Sequence, residues 1–302
     1  MQTWNKCISV LLGYSQIIAH WALGLLPIDF CSAIGNRLGR IIGPMHRIAT
    51  QKLRENITQL RPDLQPMAIN QMVQRSWGNY GRVMAEFSVL RRIWKSDRVD
   101  ITGLEHFIKA KATGRPVICL FVHLGNWEVI GPKLHALLGG DWIQIYQMLD
   151  NPYQLRIAEQ VRRPYAHELI TSGPFVGKKI YNKLKAGYTL NIAVDECVNE
   201  DITIPAFGRS LQLAGNLTFA VRLAKLTNAV FCPVYAMRTQ GARFTVQVLP
   251  PVVFDFTEFD QGKLLEAVST LNHTVESIIR EHLDQWYYCA QYNTSQLPVS
   301  HG

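Results

Sequence analysis

From residue 98 onward, short apolar runs alternate with amphipathic stretches, and this alternation constrains the fold more than any other feature. The apolar runs have the length of strands and lie at 98–102, 117–122, 142–147, 168–171, 189–194, 230–237 and 243–249. Helical periodicity occupies the gaps at 127–138, 153–163, 176–186, 216–226 and 262–285. The pattern predicts an α/β fold with a largely parallel sheet sandwiched by helices, in which ligands bind beyond the carboxyl ends of the strands.

The first hundred residues are predicted to be helical, at 7–26, 30–43, 48–60 and 66–94. Residues 7–28 contain no Asp, Glu, Lys or Arg. This uncharged stretch is long enough to form a helix that spans a bilayer. Because Ser9, Gln16, His20 and two glycines dilute this stretch, it is also compatible with a helix that lies in the membrane interface or packs on the domain. We therefore expect an apolar anchoring or interfacial helix at 1–28, followed by a single domain at 29–302.

The net charge of +8 favours an anionic partner, such as membrane phospholipid, a phosphorylated substrate, an acidic carrier protein or nucleic acid. Six basic residues and one acid lie at 37–61, directly after the apolar stretch. This arrangement favours an anionic membrane surface with the main domain on its cytoplasmic side. Since the basic residues do not interleave with aromatic residues and no nucleic-acid-binding motif occurs, nucleic acid is not an expected partner.

Three glycines spaced four apart, Gly35, Gly39 and Gly43, would allow a neighbouring helix to approach closely. The preferred interpretation is ordinary packing of a short amphipathic helix that ends before Pro44. The six cysteines are scattered, with no C-x2-C pair and no clustered histidines. This usage predicts neither disulfides nor a metal site, and it is typical of a reducing compartment.

The segment from Ile118 to Glu128 places one histidine and one carboxylate around a tight turn between a buried strand and a helix. Gly125 can adopt the positive φ that a sharp reversal needs, and Asn126 can cap the helix that follows. Glu128 then falls in the first helical turn, within reach of His123 at the end of the strand. This geometry suggests a general base that an acidic partner holds in its productive tautomer.

The spacing alone is also compatible with a purely structural histidine. A serine hydrolase shares this architecture, but the chain contains no G-x-S-x-G motif. Cys119 lies on the same strand as His123, but its sulfur would be about 13 Å from the histidine backbone. We therefore interpret Cys119 as a core residue rather than a nucleophile.

Five blocks along the chain resemble the bacterial lipid A biosynthesis acyltransferases, the late acyltransferases of the wider lysophospholipid acyltransferase superfamily. The blocks are Lys52-Leu-Arg-Glu-Asn56-Ile, the H-x4-E motif from His123 to Glu128, Asn151-Pro152 leading to Arg162, Leu184-Lys-Ala-Gly187 before a strand that ends at Asp195, and Pro205-Ala-Phe207-Gly208-Arg209 followed by Gly215. Their order and their spread over most of the chain make the resemblance far more specific than the histidine motif alone.

The resemblance implies a membrane enzyme on the cytoplasmic face of the bacterial inner membrane. It would move a fatty acyl group from acyl carrier protein or coenzyme A to a hydroxyl of a membrane glycolipid, with no further cofactor and no metal. His123 would be the base and Glu128 the residue that orients its imidazole.

The resemblance also implies a set of substrate-binding residues. Arg162 and Arg209 would bind phosphates or stabilise the oxyanion. Asp195 would support the substrate site or orient a residue in it, and Glu196 is its rival. Asn126 would also belong to the substrate site.

The end of the chain departs from the family pattern. The family typically has a Trp-x-x-His-Arg-Arg-Trp-like run after a Gln-Trp pair, whereas this chain reads Gln285-Trp286-Tyr-Tyr-Cys289-Ala-Gln291-Tyr292. The missing basic cluster leaves the identity of the lipid acceptor open. A non-catalytic membrane or acyl-chain binding module on the same scaffold is the alternative function.

Overall fold

The computed structural model describes residues 2–146, 149, 151–164, 168–171, 173, 175–198, 201–258 and 260–292, with residues 2–12 and 198 described by their backbone alone. Within this part of the chain the backbone forms eleven α-helices and nine strands. The helices are α1 (Gln2–Leu25), α2 (Ile28–Ile42), α3 (Arg47–Leu60), α4 (Pro66–Glu86), α5 (Leu90–Trp94), α6 (Leu104–Ala112), α7 (Ile130–Leu138), α8 (Pro152–Arg162), α9 (Val176–Lys185), α10 (Gly215–Thr227) and α11 (Gln261–Glu281). The strands are β1 (Val99–Thr102), β2 (Val117–Phe121), β3 (Trp142–Tyr146), β4 (Glu168–Thr171), β5 (Thr189–Ala193), β6 (Cys197–Val198), β7 (Asp201–Ile202), β8 (Val230–Gln240) and β9 (Arg243–Val248).

Seven strands form one sheet in the order β1-β9-β8-β2-β5-β3-β4. Five neighbouring strands, from β8 to β4, are parallel to one another. The remaining two run the opposite way, because β9 is antiparallel to β8 and β1 is parallel to β9. The prediction of an α/β fold with a largely parallel sheet is therefore confirmed.

Two hydrophobic clusters occupy the two faces of the sheet. Successive side chains of a strand point to opposite faces, so Ile118 and Leu120 belong to one cluster and Cys119 and Phe121 to the other. Every residue of β2 is buried, as a strand covered on both faces requires. Cys119 is a fully buried free thiol, and burial raises its pKa well above the usual range, which agrees with its interpretation as a core residue.

Several boundaries differ from those predicted. The helix expected at 66–94 is two helices, α4 and α5, and the short helix α6 and the β6–β7 hairpin were not predicted. Strand β8 continues three residues beyond the predicted end at Met237. The predicted end of the third strand, Gln147, lies outside the described residues, as do residues 293–302 at the end of the predicted domain.

Helices α2 and α4 pack with their backbones in contact. A Cβ atom built on Gly39 would lie 2.1 Å from the carbonyl oxygen of Trp77, and one built on Gly35 would lie 2.4 Å from the carbonyl oxygen of Gly81. Neither position has room for a side chain. The preference for ordinary amphipathic packing was therefore wrong, since the glycines of α2 serve a close helix crossing.

Helix α1 packs against α8, where the rings of Tyr14 and Tyr153 lie 5.5 Å apart. Its outer face, and those of α2, the turn that follows α2 and the start of α3, expose large apolar side chains. These include Trp21, Leu25, Phe30, Ile41, Met45 and Ile48. No helix in the described part of the chain is both long and apolar enough to cross a membrane.

Candidate active site

The register of two neighbouring strands brings His123 and Asp195 together. Strands β2 and β5 are parallel neighbours, and Phe121 is paired with Ala193. His123 and Asp195 each lie two residues beyond this pair, so both stand at the carboxyl edge of the sheet. Two residues separated by 72 positions in the chain thus occupy the place where ligands bind in parallel sheets.

Asp195 fixes both the backbone and the ring of His123. Its Oδ1 atom lies 2.8 Å from the Nδ1 atom of the imidazole, and its Oδ2 atom accepts the His123 backbone N–H at 2.9 Å. The Trp286 indole N–H donates to the same Oδ2 at 2.9 Å. The aspartate is fully buried, whereas the His123 side chain is 16% exposed. With Nδ1 committed to the carboxylate, Nε2 is the ring nitrogen available to a substrate.

Aromatic rings surround the imidazole. Trp127 and Tyr288 meet it edge to face, with ring centroids 4.7 and 5.0 Å away. Tyr287 in turn packs against Trp127 at 5.0 Å. Burial, followed by the negative charges of Asp195 and its neighbours, raises the pKa of Tyr288, so this hydroxyl keeps its proton at neutral pH. The histidine therefore lies among aromatic rings and remains partly exposed.

The sequence-based pairing of Glu128 with His123 was wrong, because the carboxylate binds a different residue. Glu128 lies in the 3₁₀ turn Trp127–Val129, where it is 3% exposed. Both of its oxygens accept bonds from the Arg162 guanidinium, through Nε at 3.1 Å and through a short contact with a terminal nitrogen. These bonds join the turn to α8. This leaves Asp195 as the acidic partner of His123.

Gly125 adopts the expected positive φ of 61°, but Asn126 does not cap the following turn with its side chain. Instead the Asn126 amide donates to Glu86 at 2.9 Å. Glu86 is fully buried and also binds the guanidinium of Arg238 at 2.6 and 2.8 Å and the hydroxyl of Ser32 at 2.6 Å. Asn126 therefore ties the histidine turn to a buried ion pair between α4 and β8, because the carboxylate offers it a charged acceptor.

Arg209 stabilises the loop at 202–209 through bonds to its backbone. Its side chain is 8% exposed and donates to the backbone oxygens of Ala206, Ile202 and Pro205. It also stacks on the ring of Tyr292 at 4.5 Å. A substrate phosphate would have to replace these bonds, so the geometry does not favour the expected contact. The Arg162 side chain is more exposed, at 17%.

Glu196, the rival of Asp195, faces a different element. Its Oε1 atom accepts the backbone N–H of Asn216 at 2.5 Å, in the first turn of α10. Burial raises the pKa of Glu196 to about 8, with a smaller contribution from Asp195. It makes no hydrogen bond to His123 in the described structure.

The segment at 285–292, here called the C-terminal segment, forms one wall of the site, which the sequence did not predict. The Tyr287 backbone N–H donates to the His123 carbonyl at 2.9 Å, and Gly125 donates to Gln285 at 3.1 Å. Asn56 of α3 holds the far end, donating to the carbonyls of Cys289 and Tyr292 at 2.6 and 2.7 Å. The concentration of aromatic residues at 286–292 is the signal that could have indicated a packed segment.

These features define an α/β enzyme with a histidine–aspartate pair at the carboxyl edge of a parallel sheet. The family model described as bacterial lipid A biosynthesis acyltransferase matches residues 6–291. The chain belongs to this family and is an acyltransferase, not a non-catalytic module. No match was found among curated proteins.

Proposed function

We propose that the protein transfers a fatty acyl group from a thioester donor to a hydroxyl of a membrane glycolipid similar to a lipid A precursor. The observation that carries this proposal is the bonding of His123. Its Nδ1 atom faces Asp195 at 2.8 Å, its backbone is held by the same carboxylate, and its ring is partly open. A neutral imidazole held in this way presents Nε2 as a base.

The reaction is a direct displacement at the thioester carbonyl. His123 Nε2 takes the proton of the acceptor hydroxyl as its oxygen bonds to the carbonyl carbon. The carbon–sulfur bond then breaks, and the imidazolium returns the proton to the leaving thiolate. Asp195 stabilises the imidazolium while it exists. No acyl-enzyme intermediate is needed, in keeping with the buried position of Cys119.

The pair formed by Glu128 and Arg162 is the element that we propose for substrate positioning. Glu128 follows Trp127, whose ring contacts the imidazole, so the residue that holds the guanidinium is adjacent in the chain to a residue of the histidine site. Arg162 also lies over the ring of Phe87, 5.6 Å from its centroid. An arginine anchored on two sides is preorganised to bind a phosphate or the developing oxyanion.

The donor that we propose is an acyl carrier protein or acyl-coenzyme A, and the acceptor reaches the site from an anionic membrane surface. Exposed arginines at Arg37, Arg40 and Arg47 alternate with the exposed apolar side chains of α2 and α3. Such a surface is suited to the interface of an anionic bilayer. We accordingly propose the cytoplasmic face of the bacterial inner membrane as the location.

The function is tested with purified protein, a radiolabelled acyl donor and a lipid extract. We expect a labelled lipid product with the wild type and none with His123→Ala. Acyl carrier protein and coenzyme A thioesters are compared in parallel to identify the donor. His273→Ala, which removes an exposed histidine of α11, is the matched control and should retain full transfer. Unchanged transfer by His123→Ala would contradict the proposed base.

Membrane binding is tested separately with liposomes. We expect co-sedimentation with anionic vesicles that weakens as salt is raised, and no comparable binding to duplex DNA. Equal binding to neutral and anionic vesicles would contradict the role of the exposed arginines.

A further inference from the structure

Trp286 contacts the acidic partner of the proposed base, although it lies 91 residues away from Asp195 in the chain. Its indole ring is buried, and it packs against Phe207 and Tyr292 with ring centroids 6.2 and 5.6 Å away. The indole N–H donates to Asp195 Oδ2 at 2.9 Å.

The backbone around Trp286 is fixed to the same turn that bears the histidine. Leu124 and Trp286 form an antiparallel bridge, and the flanking bonds join Gly125 to Gln285 and Tyr287 to His123. Any movement of the C-terminal segment would therefore displace the indole and the histidine turn together.

The two oxygens of Asp195 have different partners. Oδ2 accepts two N–H groups, one from the His123 backbone and one from Trp286, while Oδ1 faces the imidazole. Hydrogen bonds to one oxygen draw negative charge toward it and lessen the charge that the imidazole meets at the other. This lowers the preference of the ring for its protonated form.

We propose that Trp286 is a positioning residue of the acyltransferase, acting through Asp195 to hold His123 in its neutral, base-competent form. This inference rests on the proposed function. Because the Trp286 N–H bonds to Asp195, we place its effect on the state of the histidine.

Trp286→Phe keeps an aromatic ring but removes the N–H donor. The carboxylate stays in place, because Oδ2 still accepts the His123 backbone N–H. We expect kcat to fall by up to about tenfold on the acidic side of the profile, where more of the histidine is protonated, with KM for both substrates within about twofold. The acidic limb of the kcat profile should move to higher pH, because the imidazolium gains stability. Among the residues that the structure describes, the titratable groups in contact with the imidazole are Asp195 and Tyr288, and both are retained.

The test that does not depend on activity is an NMR titration of the histidine ring signals, in which His123→Ala identifies the resonance. The His123 signal should titrate at higher pH in Trp286→Phe than in the wild type. If the protein has no acyltransferase activity, this shift still tests the link between Trp286 and His123, so the two failures are distinguishable.

Trp142→Phe is the matched control, since the buried Trp142 indole donates to the Gly139 carbonyl at 2.9 Å, away from His123. It loses an equivalent bond and should leave both the titration and kcat unchanged. Thermal unfolding of both variants checks that they fold. The proposal is overturned if the His123 signal of a folded Trp286→Phe protein titrates at the same pH as in the wild type or at a lower pH. It is also overturned if Trp142→Phe raises the titration pH of His123 by the same amount.

Discussion

Replacing Asp195 with asparagine is the sharpest test of the site, because the structure dictates how the new amide must orient. Two N–H donors, from the His123 backbone and the Trp286 indole, meet at the Oδ2 position. The amide oxygen has to stay there to accept them, so the NH₂ group takes the place of Oδ1 and faces the imidazole Nδ1. That nitrogen must then act as an acceptor, which moves the ring proton to Nε2.

A histidine with its proton on Nε2 cannot take a proton from the acceptor hydroxyl. We expect Asp195→Asn to lower kcat by about 10⁴-fold, the loss that the same trapped tautomer causes in a serine protease triad. This corresponds to about 5 kcal/mol of transition-state stabilisation. The assay is transfer of a radiolabelled acyl group under saturating substrate, and nitrogen NMR of the histidine ring reports the tautomer directly.

Glu128→Gln is the comparison variant, because its carboxylate binds Arg162 instead of the imidazole. It should lose less activity than Asp195→Asn and should leave the histidine tautomer unchanged. The reasoning is refuted if Asp195→Asn retains more than about a tenth of the wild-type kcat while Glu128→Gln loses several orders of magnitude.

Three further predictions concern stability. Glu86→Gln removes the charge that neutralises a buried arginine, so the free energy of unfolding in urea should fall by about 3–5 kcal/mol. Gly39→Ala forces a Cβ to within 2.1 Å of a carbonyl oxygen of α4 and should cost about 1–3 kcal/mol in the same measurement. Burial raises the pKa of Glu196 in the folded protein from 4.5 to about 8. Between these two pH values the residue loses its proton when the chain unfolds, so wild-type stability falls as the pH rises toward 8. Glu196→Gln lacks this loss and should gain stability relative to the wild type over that interval.

Each of these has a matched comparison. Asp63→Asn breaks an exposed ion pair and should cost less than about 1 kcal/mol, so an equal loss in Glu86→Gln would contradict the role of burial. Gly177→Ala adds a Cβ whose nearest neighbour lies 3.5 Å away, and a loss as large as that of Gly39→Ala would contradict the steric argument. Parallel pH profiles for the wild type and Glu196→Gln would contradict the assignment of the buried acid.

Local sequence pattern predicted most of the sheet because parallel strands are buried on both faces. Strand β2 is apolar throughout and was recognised on that basis. Helix α6 was missed because only Phe107 and Ala110 of its nine residues are buried, too few to show a helical period. The β6–β7 hairpin has strands of two residues, which are too short for any alternation to appear.

The residues of the site were predicted better than their contacts. His123 and Asp195 were both placed at the carboxyl edge of the sheet, but nothing in the local sequence shows that β5 is the neighbour of β2, since β3 and β4 lie between them in the chain. Without that register, the nearest carboxylate in sequence, Glu128, was the natural choice. The direction of its side chain depends on the docking of α8, and Arg162 of that helix binds it.

Three buried carboxylates close to the histidine turn each have a cationic or potentially cationic partner. The pairs are Asp195 with His123, Glu128 with Arg162, and Glu86 with Arg238. An arginine keeps its charge at any physiological pH, whereas a histidine acting as a base must begin the reaction neutral. Of the three carboxylates, Asp195 is therefore the one that must stay charged and buried beside a neutral partner. Two N–H donors at Oδ2 offset the free-energy cost of burying this charge. Since one of them comes from the C-terminal segment, that segment also supports the reactive state of the base.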